Sequence, residues 1–170
     1  SELRQLIGSE VIDLPQVAQG QYILSPPNNK LTLLIENYIQ VNNQKLRIKP
    51  GLTALRGDNG VGKTTTLNAV QWLLYGGNSP DGKPCKIILQ NGKKWVITRI
   101  SKPRQLTLEI EGEIYIDEIA QSIINNTFGS KLLWSTISYL EQKKNCNFFA
   151  YSDKEKKDFL AQIFSKSSSL

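Results

Sequence analysis

One octapeptide constrains this chain more than any other feature. Gly57-Asp58-Asn59-Gly60-Val61-Gly62-Lys63-Thr64 matches the pattern GxxxxGK[ST] without deviation. With glycine at ~7 % of residues, a chance match in a chain of this length is roughly one in a hundred. The pattern also needs a context, a strand before it and a helix after it. Leu52–Arg56, LTALR, reads as a short strand. In Thr64–Tyr75, TTTLNAVQWLLY, the residues Leu67, Val70 or Gln71, and Leu74 fall at helical spacing. Ala69, Trp72 and Leu73 widen the apolar face, so a buried helix is expected, and Gly76-Gly77 ends it.

The chemistry of this segment suits phosphate. Glycines let the backbone curl through positive φ, so that successive N–H groups converge on phosphate oxygens. The start of the following helix adds a partial charge of about +0.5. The expected nucleotide cradle is Asp58, Asn59, Gly60, Val61, Gly62, Lys63, Thr64 and Thr65. Lys63 supplies a point charge for the β- and γ-phosphates. The Thr64 hydroxyl suits Mg²⁺, a hard cation that prefers oxygen. Thr65 has two open roles, an α-phosphate contact or a helix cap. A nucleotide with Mg²⁺ is therefore expected.

Composition narrows the alternatives. The chain has no histidine, which excludes a Ser-His-Asp triad, a Cys-His dyad and any histidine metal site within it. Its two cysteines, Cys85 and Cys146, form no CxxC, make no disulfide framework and are too few for a metal site. A length of 170 residues with 39 % apolar and 21 % charged side chains describes one folded domain. No apolar run approaches the ~18 residues of a membrane span, and Ser1–Gln16 lacks a signal pattern. The expected compartment is the cytoplasm, or the nucleus in a eukaryote, with no membrane partner. Methionine is absent even at position 1, and the chain ends SKSSSL, so a processed product or a fragment is expected.

Three segments are expected: an N-terminal extension over 1–30, a folded lobe over 31–164, and a tail over 165–170 that begins a linker or coiled coil. Pro15, Pro26 and Pro27 punctuate the extension, and no element is assigned there. Leu31–Asn37 and Lys45–Ile48 read as strands, with a turn at Lys49-Pro50-Gly51. Lys86–Gln90 and Lys94–Ile100 read as a hairpin around Asn91-Gly92, a type I′ turn pair. Leu106, Leu108 and Ile110 alternate as a third strand, and Glu111-Gly112 turns into Ile114–Ile116. Asp117 is then an expected N-cap for a helix through Ile124. Leu132–Leu140 is β-branched enough for a strand. Ser152-Asp153-Lys154-Glu155 is a capping box, opening a helix expected to bury Phe159, Leu160, Ile163 and Phe164. Trp72, Trp95 and Trp134 read as core; Trp95, beside Lys93 and Lys94, is also a possible base-stacking platform.

The formal net charge is +6, yet Gly82–Arg104 alone holds seven cations and no acid. Such a block points either to a polyanion or to a solvated hairpin, two readings of equal weight. On the first, Lys86, Lys93, Lys94 and Lys102 contact DNA.

Ile35–Gly77 resembles the N-terminal half of SMC-related ATPases of the ABC class, and is most similar to the SbcC/Rad-fifty double-strand-break repair family. The Asn37-Tyr38 pair, the Lys49-Pro50-Gly51 turn and Gly57–Thr65 follow that family's order. Ser138-Tyr139-Leu140-Glu141-Gln142 resembles its Q-loop, and Phe148, Phe149, Lys156, Leu160 and Phe164 follow its spacing thereafter. The resemblance implies an α/β fold: a P-loop NTPase (ABC-ATPase-like) lobe, with a mixed sheet around the phosphate-loop helix and an antiparallel hairpin subdomain. It implies that the nucleotide is ATP and that Gln142 is catalytic, reaching Mg²⁺ and the attacking water and joining Thr64 at the metal. It implies as partners double-stranded DNA, the C-terminal half of the ATPase head, a second head in a homodimer, and a nuclease of the SbcD/Mre-eleven type, in DNA repair or recombination.

Two departures stand out. Ile39 occupies the place where the family often has a basic residue, which Lys45 or Arg47 could replace. No Walker B run is found either: Ile116-Asp117-Glu118 has a short apolar lead that Glu113 interrupts, and no LSGG signature follows. In the resembled family both lie beyond a long coiled coil, so this chain alone is expected to bind ATP without efficient hydrolysis. The alternatives are a RecF/SMC-type DNA-binding ATPase and a small-molecule kinase. The kinase would need an arginine-bearing lid, whereas the arginines here are scattered.

Overall fold

Six segments in which more and less buried side chains alternate form the strands of one sheet. They are β1 (Leu31–Glu36), β2 (Gln44–Ile48), β3 (Lys86–Asn91), β4 (Trp95–Ser101), β5 (Arg104–Ile110) and β6 (Glu113–Ile116), in spatial order β2-β1-β3-β4-β5-β6. The computed structural model describes Leu24 and residues 31–50, 54–78, 82–138 and 151–167. These fall into two compact units, Ser1–Ile124 and Asn125–Leu170.

Every described strand pair is antiparallel, which corrects the expected mixed sheet. Connectivity accounts for four of the strands. β3 to β6 are joined by turns of two or three residues, and such short links can connect only antiparallel neighbours. Of the segment expected as a strand before the phosphate loop, Leu52 and Thr53 lie outside the described residues, and Ala54–Arg56 has no regular structure.

Cross-strand register builds the core. Leu33 lies opposite Leu46 and Leu89, Leu89 opposite Ile97, Ile97 opposite Leu108, and Leu108 opposite Tyr115. Leu33, Ile35, Ile87, Ile97 and Leu108 are fully buried on this face. Each such side chain contributes about 1.5–3 kcal/mol relative to exposure. Helix α1 (Lys63–Tyr75) packs against β3 and β4, burying Ala69, Trp72, Leu73 and Leu74. Its apolar stripe is narrower than its sequence predicts. Leu67 is 47 % exposed, at the mouth of an apolar cavity of about 210 Å³ that it lines with Leu33, Leu46 and Val70.

Two local expectations are corrected in this unit, and the core reading of Trp95 is borne out. The β3–β4 turn is Gly92–Lys94 rather than Asn91-Gly92. Asn91 stays in register with Trp95 and accepts the Lys94 N–H at 3.0 Å, and only Gly92 takes positive φ. Trp95 is 3 % exposed, so it is a core residue and no stacking platform. Asp117 does not cap its own helix. It sits at φ +46, and its carboxylate accepts the Leu106 N–H at 3.0 Å, tying the end of β6 to β5. Helix α2 (Asp117–Phe128) then runs past Ile124.

In the second unit Leu132–Ser138 is helical where a strand over Leu132–Leu140 was expected; Tyr139 and Leu140 lie outside the described residues. Leu132 enters a short helix, α3 (Lys131–Leu133), and the chain continues as a π-helical turn, Trp134–Ser138. The cause is local hydroxyl chemistry. Ser130 Oγ accepts the Leu133 N–H at 3.2 Å, and the Ser135 and Thr136 hydroxyls donate back to the Leu132 carbonyl at 3.0 and 2.7 Å. These bonds satisfy a helical backbone despite the β-branched composition. Trp134 meets Phe128 edge-on, with ring centroids 6.0 Å apart.

Helix α4 (Asp153–Ser167) opens with the expected capping box. The Ser152 N–H and hydroxyl both reach Glu155 Oε2, at 2.9 and 2.7 Å, and the Glu155 N–H donates to Ser152 Oγ at 3.4 Å. Of its expected buried residues only Phe159 is buried. Leu160, Ile163 and Phe164 are 41 %, 37 % and 64 % exposed, because the apolar stripe is wider than the surface that covers it.

Candidate functional site

The phosphate-loop residues form a tight irregular turn that feeds directly into α1. Gly60 and Gly62 adopt φ of +87 and +93, the left-handed region that favours glycine. Gly62 is constrained twice, because a Cβ there would lie 2.9 Å from Val41 Cγ2. Asp58, Asn59, Gly60 and Val61 are exposed in the loop, and α1 begins at Lys63. The helix makes its first backbone bond from the Thr66 N–H to the Gly62 carbonyl at 2.8 Å. The amides before it have no acceptor one helical turn back. No side chain caps this end of α1, and its first turn holds no acid.

Lys63 folds back over the loop. Its ammonium donates to the Gly57 and Asp58 carbonyls, each at 2.7 Å. Both partners are neutral, so the charge stays uncompensated. Thr64 is exposed and Thr65 buried. Thr66 Oγ1 lies 2.9 Å from the Gly62 carbonyl oxygen and 3.0 Å from Gln44 Oε1, so β2 is tied to the loop. Open amides, an uncompensated ammonium and an exposed hydroxyl fit a nucleotide triphosphate with its cation. Lys63 and the loop amides would hold the phosphates, and Thr64 would hold Mg²⁺.

Sequence reasoning missed the neighbours of this loop. Tyr38 and Val41 exchange two backbone hydrogen bonds of 2.9 Å and close a turn with Ile39 and Gln40 at its tip. The Tyr38 ring lies 5.9 Å from that of Trp72 on α1, which seats the turn on the helix. Val41 thus covers Gly62, and Gln40 Nε2 comes to 4.0 Å from the Cβ position of that glycine. Gln40 is the polar side chain that the β1–β2 connection brings to the loop, while Lys45 and Arg47 are exposed on edge strand β2. The Asn37-Tyr38 pair was the available signal: Asn37 takes φ +54, which starts the turn.

The basic block is continuous in sequence and divided in space. Lys93 and Lys94 sit in the β3–β4 turn, while Lys86 pairs opposite Ile100 near the other end of that hairpin. The two ends are separated by about 20 Å, the length of a six-residue strand. Lys102 lies in the β4–β5 turn, at the Lys86 end, and donates to the Gly82 carbonyl. Arg99 leaves the charged surface altogether and is 7 % exposed. Its Nε donates to the Leu73 carbonyl at 2.7 Å, and its Nη2 to the Leu74 carbonyl and Gln121 Oε1 at 3.3 and 2.6 Å. Gln121 Nε2 donates to the same Leu74 carbonyl at 2.8 Å. Burial, then repulsion from Arg104, pushes the Arg99 pKa down to about 10, and Asp117 opposes the shift. Arg99 therefore finishes the C-terminal end of α1.

Tyr139–Gln142 lies outside the described residues, and Gln142 with it. Among the described residues no helix is long and apolar enough to cross a membrane, and no cluster of cysteine, aspartate and glutamate could hold a metal.

A sheet with a phosphate loop opening the helix packed on it defines a nucleotide-binding α/β lobe. The chain belongs to the AAA domain family, whose family model matches residues 32–169. It is 31 % identical over 117 residues to uncharacterized protein 094L of Invertebrate iridescent virus 3, covering 65 % of this chain and 13 % of that protein. It is 26 % identical over 148 residues to uncharacterized protein 050L of Invertebrate iridescent virus 6, covering 82 % of this chain and 13 % of that protein. The chain thus spans about an eighth of the length of these curated relatives. A solved chain from work on ATP-driven dimerization and DNA-stimulated activation of SMC ATPases superposes with a TM-score of 0.55 at 18 % identity, covering 81 % of this chain and 99 % of that one. The two chains share a fold.

Proposed function

We propose that this chain is the ATP-binding lobe of an SMC-like ATPase head, most like the SbcC/Rad-fifty branch. The observation that carries the proposal is the geometry at the start of α1. Left-handed Gly62 leads into the helix, Lys63 folds over the loop, and neither an acid nor a side-chain cap competes for the open amides. Asp58–Thr65 bind and orient the phosphates, and Lys63 moves from the two carbonyls to the phosphate oxygens. Thr64, with Gln142, would hold Mg²⁺, which would supply charge neutralisation at the phosphates. No carboxylate of these 170 residues is assigned to position the attacking water. Hydrolysis is left to a composite site, formed with the C-terminal half of the head and a second head. Dimerisation around ATP would then act on double-stranded DNA with a nuclease partner of the SbcD/Mre-eleven type. The fold shared with the SMC ATPase chain and the basic β3–β4 hairpin support the assembly and DNA parts of this reading.

Thermal unfolding with ATP and Mg²⁺ tests it. A ligand at one hundred times its dissociation constant adds about 2.7 kcal/mol, a rise of about 5–10 °C for a chain of this size. Lys63→Ala removes a charge-assisted contact of about 1.5–3 kcal/mol, so most of the rise should go. An equal rise in the variant would overturn the assignment.

A further inference from the structure

A cavity of about 230 Å³ opens at the end of α1 remote from the phosphate loop, and Trp72, Gly76, Arg99, Ser101, Lys102 and Arg104 are among its lining residues. The thirteen residues of α1 separate it from the loop by about 20 Å. Three observations converge there. The Trp72 indole N–H is buried with no hydrogen-bond partner among the described residues, in a residue 6 % exposed. Arg99 commits Nε and Nη2 to the carbonyls of α1 and to Gln121, and its Nη1 lies 2.7 Å from where a Cβ on Gly76 would stand. Arg104 Nη2 lies 3.8 Å from that same point, so two guanidinium groups approach each other. Among the described residues no carboxylate lines this cavity. Asp117 and Glu118 line a neighbouring one, which Arg99 and Arg104 also border.

Like charges brought together beside a buried unpaired donor are unfavourable until an anion joins them. We propose that this cavity binds a phosphate-class oxyanion, with the Trp72 indole N–H, Arg99 Nη1 and the Arg104 guanidinium as its donors. Three donors suit the oxygens of a tetrahedral oxyanion, and arginine is the side chain best shaped to present them. The anion can be free phosphate or the backbone phosphate of a nucleic acid.

The chain has three tryptophans, so its ¹⁵N spectrum shows at most three indole N–H signals, and Trp72→Phe identifies the relevant one. Inorganic phosphate is titrated into the ¹⁵N-labelled chain at constant ionic strength, with chloride as the control. The Trp72 indole signal should shift saturably with phosphate and not with chloride. It should do so equally in Lys63→Ala, which keeps this site distinct from the phosphate loop. Arg104→Gln, at an exposed position, should weaken phosphate about tenfold or more while the spectrum stays folded. A duplex oligonucleotide that moves the same signal and competes with phosphate identifies backbone phosphate as the source; phosphate alone moving it identifies a small anion. No shift with either, a shift of equal size with chloride, or unchanged affinity in Arg104→Gln would overturn the proposal.

Discussion

A guanidinium taken from water needs matched acceptors, because an unpaired buried charge is penalised by several kcal/mol. Arg99 finds them in the last carbonyls of α1 and in Gln121. Replacing it with methionine keeps the volume but removes the guanidinium donor to the Leu73 carbonyl, one of two donors to the Leu74 carbonyl, and one donor to Gln121 Oε1. Urea unfolding should show a loss of about 2–4 kcal/mol, and unchanged stability would contradict the capping role. This inward turn was readable in principle. Arg99 has the same strand parity as Trp95 and Ile97, both buried, so a period-two count places it on the core face. Counting charges along the chain hides that. Gly62 was fully readable, since the motif demands glycine where the loop turns left-handed. Gly62→Ala should lower stability by about 1–2 kcal/mol from its φ alone. Displacement of Val41, which would lie 2.9 Å from the new Cβ, should add to this. A stable variant that still binds ATP would show that the loop tolerates a side chain.

At the scale of elements, the hairpins and the capping box follow from short-range rules, and the sequence carries them. The Ser152 hydroxyl, then its backbone N–H, holds the Glu155 carboxyl below its usual range. The folded-state pKa is therefore below the unfolded one. The contribution of the box is complete above the unfolded value, about 4.3, and is lost as pH falls through the lower folded value. Circular dichroism of Glu155→Gln against the parent should show less helix at neutral pH, with the gap closing in acid. A gap independent of pH would contradict the ionised box. Where the sequence reading fails, local hydrogen bonding overrides composition. Leu132–Ser138 has strand-like residues, yet the hydroxyls of Ser130, Ser135 and Thr136 bond a helical backbone. No parallel pair of the expected mixed sheet is seen among the described strands, and part of the segment expected as a strand before the phosphate loop lies outside the described residues.

At the scale of the molecule, the sheet decides which charges act together. Lys93 and Lys94 stand at one end of the β3–β4 hairpin, with Lys86 and Lys102 at the other. A duplex held at one end should respond to one pair alone. Changing that pair to glutamate should reduce the slope of log K against log salt by about 2, with little effect from the other pair. Unchanged affinity and slope in both double variants would make the hairpin a solvated face. The central claim, that the turn before α1 is a nucleotide site, is tested most directly where the contact is made. The ¹⁵N-labelled chain is titrated with ATP and Mg²⁺, and the backbone amides are followed one by one. The account predicts saturable shifts at Asn59, Gly60, Gly62, Lys63, Thr64 and Thr65, largely lost in Lys63→Ala. Shifts confined to other residues, or none at all, would contradict it.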